Sequence, residues 1–193
     1  MITNSRKHRS REHLTPDEVQ KLLAASKQKG LSRNPERDHA LLFVMVRHGL
    51  RVSEARNLRM SDVNLAQKTI FIRRLKNGKS TTHPIYNGGE FKALQQYLML
   101  RATIDSEYDN VFLSEQRTPL SRTAIWTLVQ KYAHAAELGD LNIHPHTLRH
   151  STGYDLANRG ADTRLIQDFL GHQNIQHTVR YTQLAPGRFA NLY

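Results

Sequence analysis

The sequence predicts an α+β domain, mainly α-helical with one small antiparallel β-sheet or hairpin. Two observations carry this. Most of the chain repeats its apolar residues at helical spacing between cap signals, whereas one stretch breaks that period, is rich in Ile, Phe and Thr and is split by Asn77-Gly78. A third observation sets bounds: 193 residues, no cysteine, and 28 Lys plus Arg against 17 Asp plus Glu, a net charge of +11. That length suits a single packed core without staples, and the missing cysteines exclude disulfides and thiolate metal sites. The charge points to a polyanionic partner, nucleic acid first. No apolar run reaches the roughly 18 residues of a membrane span, so no membrane partner is expected. The basic start lacks an apolar segment behind it and does not read as a secretory signal, so a cytoplasmic location is expected.

The elements follow in order. Residues 1–13 form a basic arm without periodicity, either a solvated tail or a DNA-contacting arm through Arg6, Lys7 and Arg9. In "LTPDEVQKLLAASKQKG" Thr15 is an N-cap, Pro16 sits at the first helical position and Glu18 closes a capping box. Val19, Leu22 and Leu23 make the apolar face, and Gly30 is the expected stop. The next helix is apolar all round from Ala40 to Val46, which marks it as central, and Gly49 ends it. A further helix starts near Val52, so Arg51 and Glu54 lie at a tight helix–helix junction. "KTIFIRRLKNGKSTTHPIY" reads as a hairpin turning at Asn77-Gly78, with Lys76 and Lys79 flanking the turn. A helix from Glu90 to about Thr103 carries Phe91, Leu94, Tyr97 and Leu98 on one side, and "NVFLS" is a short strand or extended link. Ser121 caps the helix in "SRTAIWTLVQKYAHAAEL". Two more helices end at Gly160 and Gly171, and "IQHTVRYTQL" is a short helical turn.

The chemistry concentrates in "HPHTLRHSTGYDLANRG". His144, His146, Arg149 and His150 crowd a helix start, which suits a metal site, an anion site or an idle polar end. For a metal, His144, His146, His150 and His172 are the available ligands. No HExxH pattern is present, no acidic residue precedes Asp155 in the segment, and Arg149 would repel a cation. For an anion, the helix N-terminus offers free N–H groups and Arg149 a bidentate fork, with His146 three residues away on the same face. Tyr181 has the right chemistry for a nucleophile only if activated, since at a pKa of about 10 roughly a thousandth of it is ionised at neutral pH. Nearby guanidiniums would favour the phenolate.

Taken together, "GLRVSE", a hairpin lysine, "HTLRH", "LGH" and "RYT", in this order and spacing, closely resemble the tyrosine recombinase/phage integrase catalytic domain over roughly residues 13–185. The runs "RHGLRVSE", "RRLKNG", "HPHTLRH" and "RGADTRLIQDFLGH" look most like the short recombinases that invert fimbrial promoter switches in enteric bacteria. The resemblance implies that fold, with an arm at 1–13, a catalytic domain at 14–185 and a tail at 186–193. It implies catalytic roles for Arg51, Lys76, His146, Arg149, His172 and Tyr181, supported by Glu54 and His150, and DNA contacts from Lys79, Arg74, Arg180, Arg6, Lys7 and Arg9. Lys79 stays open as an alternative general acid, and His150 reads as a buried support of its helix.

Under that resemblance Tyr181 attacks a DNA phosphodiester to form a 3′-phosphotyrosine, while Arg51 and Arg149 hold the non-bridging oxygens and His172 adds a donor. Lys76 protonates the departing 5′-oxygen and His146 assists proton removal from the tyrosine. No metal, nucleotide or other cofactor is implied. The implied partners are double-stranded DNA with inverted repeat sites, three further copies in a homotetramer that passes through a Holliday junction, and accessory DNA-bending proteins. The implied location is the bacterial cytoplasm, at the nucleoid. Two rivals are a catalytically idle DNA-binding regulator on the same fold and a type IB topoisomerase-like enzyme. The filled set of catalytic positions argues against the first.

Overall fold

Thr15 starts the first helix, α1 (Pro16–Ala25), through the expected capping box: Glu18 N–H donates to Thr15 Oγ1 (3.3 Å) and Thr15 N–H donates to Glu18 Oε2 (2.7 Å). The computed structural model describes residues 11–74 and 78–183. Helix α1 stops short of Gly30. Ser26 turns its hydroxyl back to the Leu23 carbonyl (2.7 Å) and onto His39 Nδ1 (2.5 Å), a local alternative to the next helical turn. The following Lys27–Lys29 segment is exposed and has no apolar face to bury.

Helix α2 (Pro35–His48) is the axis of the core, with Ala40, Leu41, Leu42, Val44 and Met45 all shielded from solvent. Gly49 ends it in the left-handed conformation (φ 58°), as a C-terminal glycine should. Around α2 pack α3 (Val52–Asn57), α4 (Gly89–Ala102), α5 (Arg122–Ala135) and α6 (Pro145–Asn158). Ser121 caps α5 by accepting from Ala124 N–H at 2.9 Å. On α4 the buried face is Ala93, Leu94, Tyr97 and Leu98, with Phe91 only packed on its margin. The "NVFLS" segment is an extended link held by isolated bridges at Asn110 and Leu113.

The sheet has three antiparallel strands, in the order β1 (Val63–Asn64), β2 (Thr69–Ile72), β3 (Thr81–Pro84). Strand β2 alternates as a half-buried strand must, with Ile70 and Ile72 inward. Strand β1 was not legible, because two residues carry no period. The β2–β3 ladder ends at the Ile72–Thr81 pair, and its register is centred one residue before Asn77-Gly78. The expected turn at Asn77-Gly78 falls on this connection, part of which lies outside the described residues. Asn77 itself lies outside the described residues.

Two short helices complete the fold, α7 (Thr163–Leu170) and α8 (Gln176–Gln183). They pack on α6 through a separate small apolar cluster of Tyr154, Ala157, Ile166, Leu170 and Tyr181. The deep core thus holds α2, α3 and α6, while α8 rests on a satellite cluster.

Candidate active site

The backbone first brings Arg51, Arg74 and Arg149 to one carboxylate. Gly49 ends α2, and Arg51 becomes the N-cap of α3. Its N–H donates to Glu54 Oε2 (2.9 Å) and its Nη1 to Glu54 Oε1 (2.8 Å). Arg74, just past β2, donates from Nη1 to Glu54 Oε2 at 2.7 Å, and Arg149 Nη1 lies 3.8 Å from the same oxygen. Glu54 is buried, so its attraction for the three guanidiniums acts in a low dielectric.

The rest of the cradle is backbone. At the C-terminus of α7, the carbonyls of residues 169, 170 and 171 each take one guanidinium. Phe169 accepts from Arg74 Nη2, Leu170 from Arg149 Nη2 (2.6 Å) and Gly171 from Arg51 Nη2 (3.5 Å). The Gly49 carbonyl accepts Arg149 Nη1 at 2.6 Å. These are helix-end carbonyls with no helical partner, at the negative pole of the helix dipole. Gly171 also has to be glycine. Its φ is +65°, and a Cβ there would stand 2.7 Å from Arg74 Nε. Three cations against one carboxylate leave a rigid surplus of positive charge, and Arg51 is partly open to solvent.

Tyr181 on α8 sits beside this cradle, with only 1% of its surface exposed. Its hydroxyl lies 2.9 Å from His150 Nδ1. The ring lies over Gly153 of α6, where a Cβ would come within 2.7 Å of it. Burial raises the phenol's pKa above 10, and Arg149, Arg180 and Arg51 pull it down without winning. The guanidiniums favour the phenolate as expected, but desolvation is the larger effect and the hydroxyl keeps its proton more tightly than a free phenol.

The histidines divide their tasks. Burial, with His146 and Arg149 adding to it, lowers His150 to about 4, so it is neutral at pH 7 and able to accept a proton. It is half-buried and touches the tyrosine, which corrects its reading as a buried helix support. His146 is exposed on the first turn of α6; partial desolvation and the charges of His144, Arg149 and Arg51 lower its pKa. His172 is held by Thr178, with Nδ1 2.8 Å from Thr178 Oγ1, and its ring stacks toward Tyr181 at 6.2 Å. Burial, then Arg149 and Arg51, lowers it to about 3. Among the described residues no three His, Asp or Glu side chains converge as a metal would require.

The other sequence-stretch candidates scatter. Arg74 was expected on DNA, but its side chain is enclosed and committed to Glu54 and Phe169, so here it is part of the cradle's frame. Arg180 pairs with Glu12 beside the tyrosine, and Lys79 is exposed. Lys76, Arg6, Lys7 and Arg9 lie outside the described residues, as does the whole tail at 186–193. Sequence reasoning missed Thr178 and Gly153. The second had a signal: a glycine inside a helix costs about 1 kcal/mol relative to alanine and usually marks a close approach.

With this geometry in view, the comparisons define the class. Residues 12–188 match the phage integrase family, and the chain belongs to that family, the tyrosine-type site-specific recombinases. Within it, the type 1 fimbriae regulatory protein FimB of Escherichia coli K12 is 44% identical over 193 residues, spanning all of this chain and 94% of FimB. The type 1 fimbriae regulatory protein FimE of the same strain is 42% identical, spanning 95% of this chain and 91% of FimE. The crystal structure of XerA recombinase superposes with a TM-score of 0.80 at 30% identity, over 94% of this chain and 63% of XerA.

Proposed function

We propose that this chain cuts and rejoins double-stranded DNA at inverted repeats, as the invertase of a fimbrial switch, through a covalent bond to Tyr181. The observation that carries this reading is one buried carboxylate set against three guanidiniums, beside a tyrosine already paired with a neutral imidazole. The net charge of +11 supports a DNA partner.

In the first step the Tyr181 hydroxyl gives its proton to a neighbouring histidine and its oxygen attacks phosphorus. His150 is the imidazole in contact with it, while His146 is exposed one turn earlier on the same helix. Arg51 and Arg149 neutralise the non-bridging oxygens of the pentacoordinate transition state, and His172 donates to them. The P–O5′ bond breaks, and the hairpin lysine, Lys76 or alternatively Lys79, protonates the leaving 5′-oxygen. A 5′-hydroxyl of the partner strand then attacks the 3′-phosphotyrosine and releases Tyr181. The bond energy is conserved throughout, so the cycle uses no ATP, and the arginines supply the charge neutralisation that a metal ion gives elsewhere. With its hydroxyl enclosed, Tyr181 reaches a phosphate only after α8 shifts on the satellite cluster.

The reading extends to a tetramer on two sites, accessory DNA-bending proteins, a nucleoid location, and DNA contacts from the basic arm at 1–13, all attached to a catalytic domain at 14–185 with a tail at 186–193. The test is to search the DNA beside the gene for a segment bounded by inverted repeats and to assay its inversion on a plasmid, with EDTA present. Inversion by the native chain and none by Tyr181→Phe is the expected result. Relaxation of plasmid without inversion would replace this reading with a topoisomerase-like one.

A further inference from the structure

Beneath the cradle lies a buried polar chain that the recombination chemistry does not use. His48, the last residue of α2, places Nε2 2.6 Å from Glu90 Oε1 on α4 and Nδ1 3.2 Å from His83 Nδ1 on β3. His83 Nε2 lies 2.9 Å from Thr81 Oγ1, and Glu90 Oε2 accepts Tyr86 N–H at 3.0 Å. His48, His83 and Glu90 are all almost completely enclosed.

The Glu90 carboxylate only accepts, so His48 donates to it from Nε2. Every nitrogen of the two rings has a partner: Glu90 and His83 for His48, His48 and Thr81 for His83. Burial keeps His83 neutral, lowering it to about 3. A fully satisfied buried chain is rigid, and one broken link leaves an unpaired group in a low dielectric.

The two imidazoles adjoin the carbonyls that hold the cradle. His48 is bonded to Gly49, whose carbonyl takes Arg149 Nη1 at 2.6 Å. His83 stacks on Phe169 at 4.1 Å, and the Phe169 carbonyl takes Arg74 Nη2. We propose that His83 and His48, braced by Glu90, are positioning residues for strand exchange: they fix the Gly49 and Phe169 carbonyls, and through them aim Arg149 and Arg74. This rests on the recombinase reading, because an aimed guanidinium matters only if a phosphate is the substrate. A displacement of about 1 Å at a reacting centre costs roughly a hundredfold in rate.

The experiment is single-turnover cleavage of nicked repeat DNA at saturating protein, with DNA affinity and thermal midpoint measured in parallel. His83→Phe keeps the stack on Phe169 and removes both hydrogen bonds. His83→Gln restores a donor and an acceptor. Ser26→Ala, which removes a buried hydrogen bond near the other end of α2, is the stability control. Cleavage by His83→Phe should fall by about ten- to a hundredfold, with DNA affinity within about twofold of native. His83→Gln should recover most of the rate, and Ser26→Ala should cleave normally. On DNA carrying a methylphosphonate at the scissile position, which removes one negative charge and the need for one well-aimed guanidinium, the His83→Phe deficit should shrink to a few-fold. A native rate in His83→Phe, a loss shared by Ser26→Ala, or an equal deficit on both substrates would overturn the proposal. Failure of the native chain to cleave any repeat DNA would instead remove the recombinase reading on which it rests.

Discussion

Glu54 shows how one residue organises a site. Its two oxygens meet Arg51 and Arg74 directly and Arg149 at longer range, so removing its charge leaves three guanidiniums repelling one another in a shared cavity. Breaking a buried ion pair from one side costs about 3–5 kcal/mol. Glu54→Gln should therefore lose stability of that order in urea denaturation and lose cleavage with it; an unchanged midpoint would mean the carboxylate is not the cradle's counter-charge. Gly153 makes the opposite case. A Cβ there meets the Tyr181 ring at 2.7 Å, whereas alanine in mid-helix gains about 1 kcal/mol of propensity. Gly153→Ala should keep the fold, with a net change within about 2 kcal/mol, and slow single-turnover cleavage by about tenfold or more as the ring is displaced. A native cleavage rate would show that the ring's seat on α6 is irrelevant to chemistry. Arg51, Glu54, Arg149, His172 and Tyr181 were legible as candidates because motif order names them. The state of Tyr181 was not, because burial is a tertiary quantity and outweighs the guanidiniums that the sequence displays. His150 was misjudged for a related reason. Its i+4 relation to His146 shows a shared helix face and says nothing of the α8 hydroxyl that arrives from elsewhere in the fold.

At the scale of elements, caps and periods read cleanly where the signal is local. Thr15, Gly49 and Ser121 bound their helices as expected, since each acts on backbone groups within four residues. Gly30 misled because a buried serine, Ser26, had already ended α1 four residues earlier. The hairpin's register and the two-residue β1 depend on pairing across the chain, which no single stretch records. Helix α7 matters through its C-terminus more than its face: its last carbonyls and Gly171 bind three arginines that lie far away in sequence. That role was invisible in "LGH", because carbonyl acceptors have no side-chain signature. Helix α8 is held by a handful of polar contacts, Tyr181 on His150, Thr178 on His172, Thr182 on Thr163 (2.9 Å) and Arg180 on Glu12. A short helix on a satellite cluster belongs to the low-stability end of a fold. Amide exchange across residues 176–183 should accordingly be faster than across α2, and should change when repeat DNA binds. Protection equal to α2 and indifferent to DNA would contradict a moving nucleophile.

For the whole molecule, buried histidines set the pH range. Burial lowers His39 to about 4 and His83 to about 3, while in the unfolded chain both titrate near 6.5. Between those values the unfolded state binds the extra protons, so their contribution is full above about pH 6.5 and is lost as pH falls toward 3–4. The unfolding free energy from urea titrations should be flat from pH 8 to 7 and fall steadily below 6.5, by on the order of a few kcal/mol at pH 4.5. A flat profile down to pH 5 would show that these rings titrate freely in the fold. The same molecule carries a net charge of +11 and a frame of three arginines, and both converge on one claim, that a DNA phosphate becomes bonded to Tyr181. The most direct measurement is to trap that bond. Repeat DNA nicked beside the scissile phosphate releases the short leaving strand after cleavage, so religation fails and the covalent adduct accumulates. The account predicts a protein–DNA adduct in EDTA, attached through a 3′-phosphate to Tyr181 on peptide mapping and absent with Tyr181→Phe. No adduct on the repeats, or one that survives Tyr181→Phe, would contradict it.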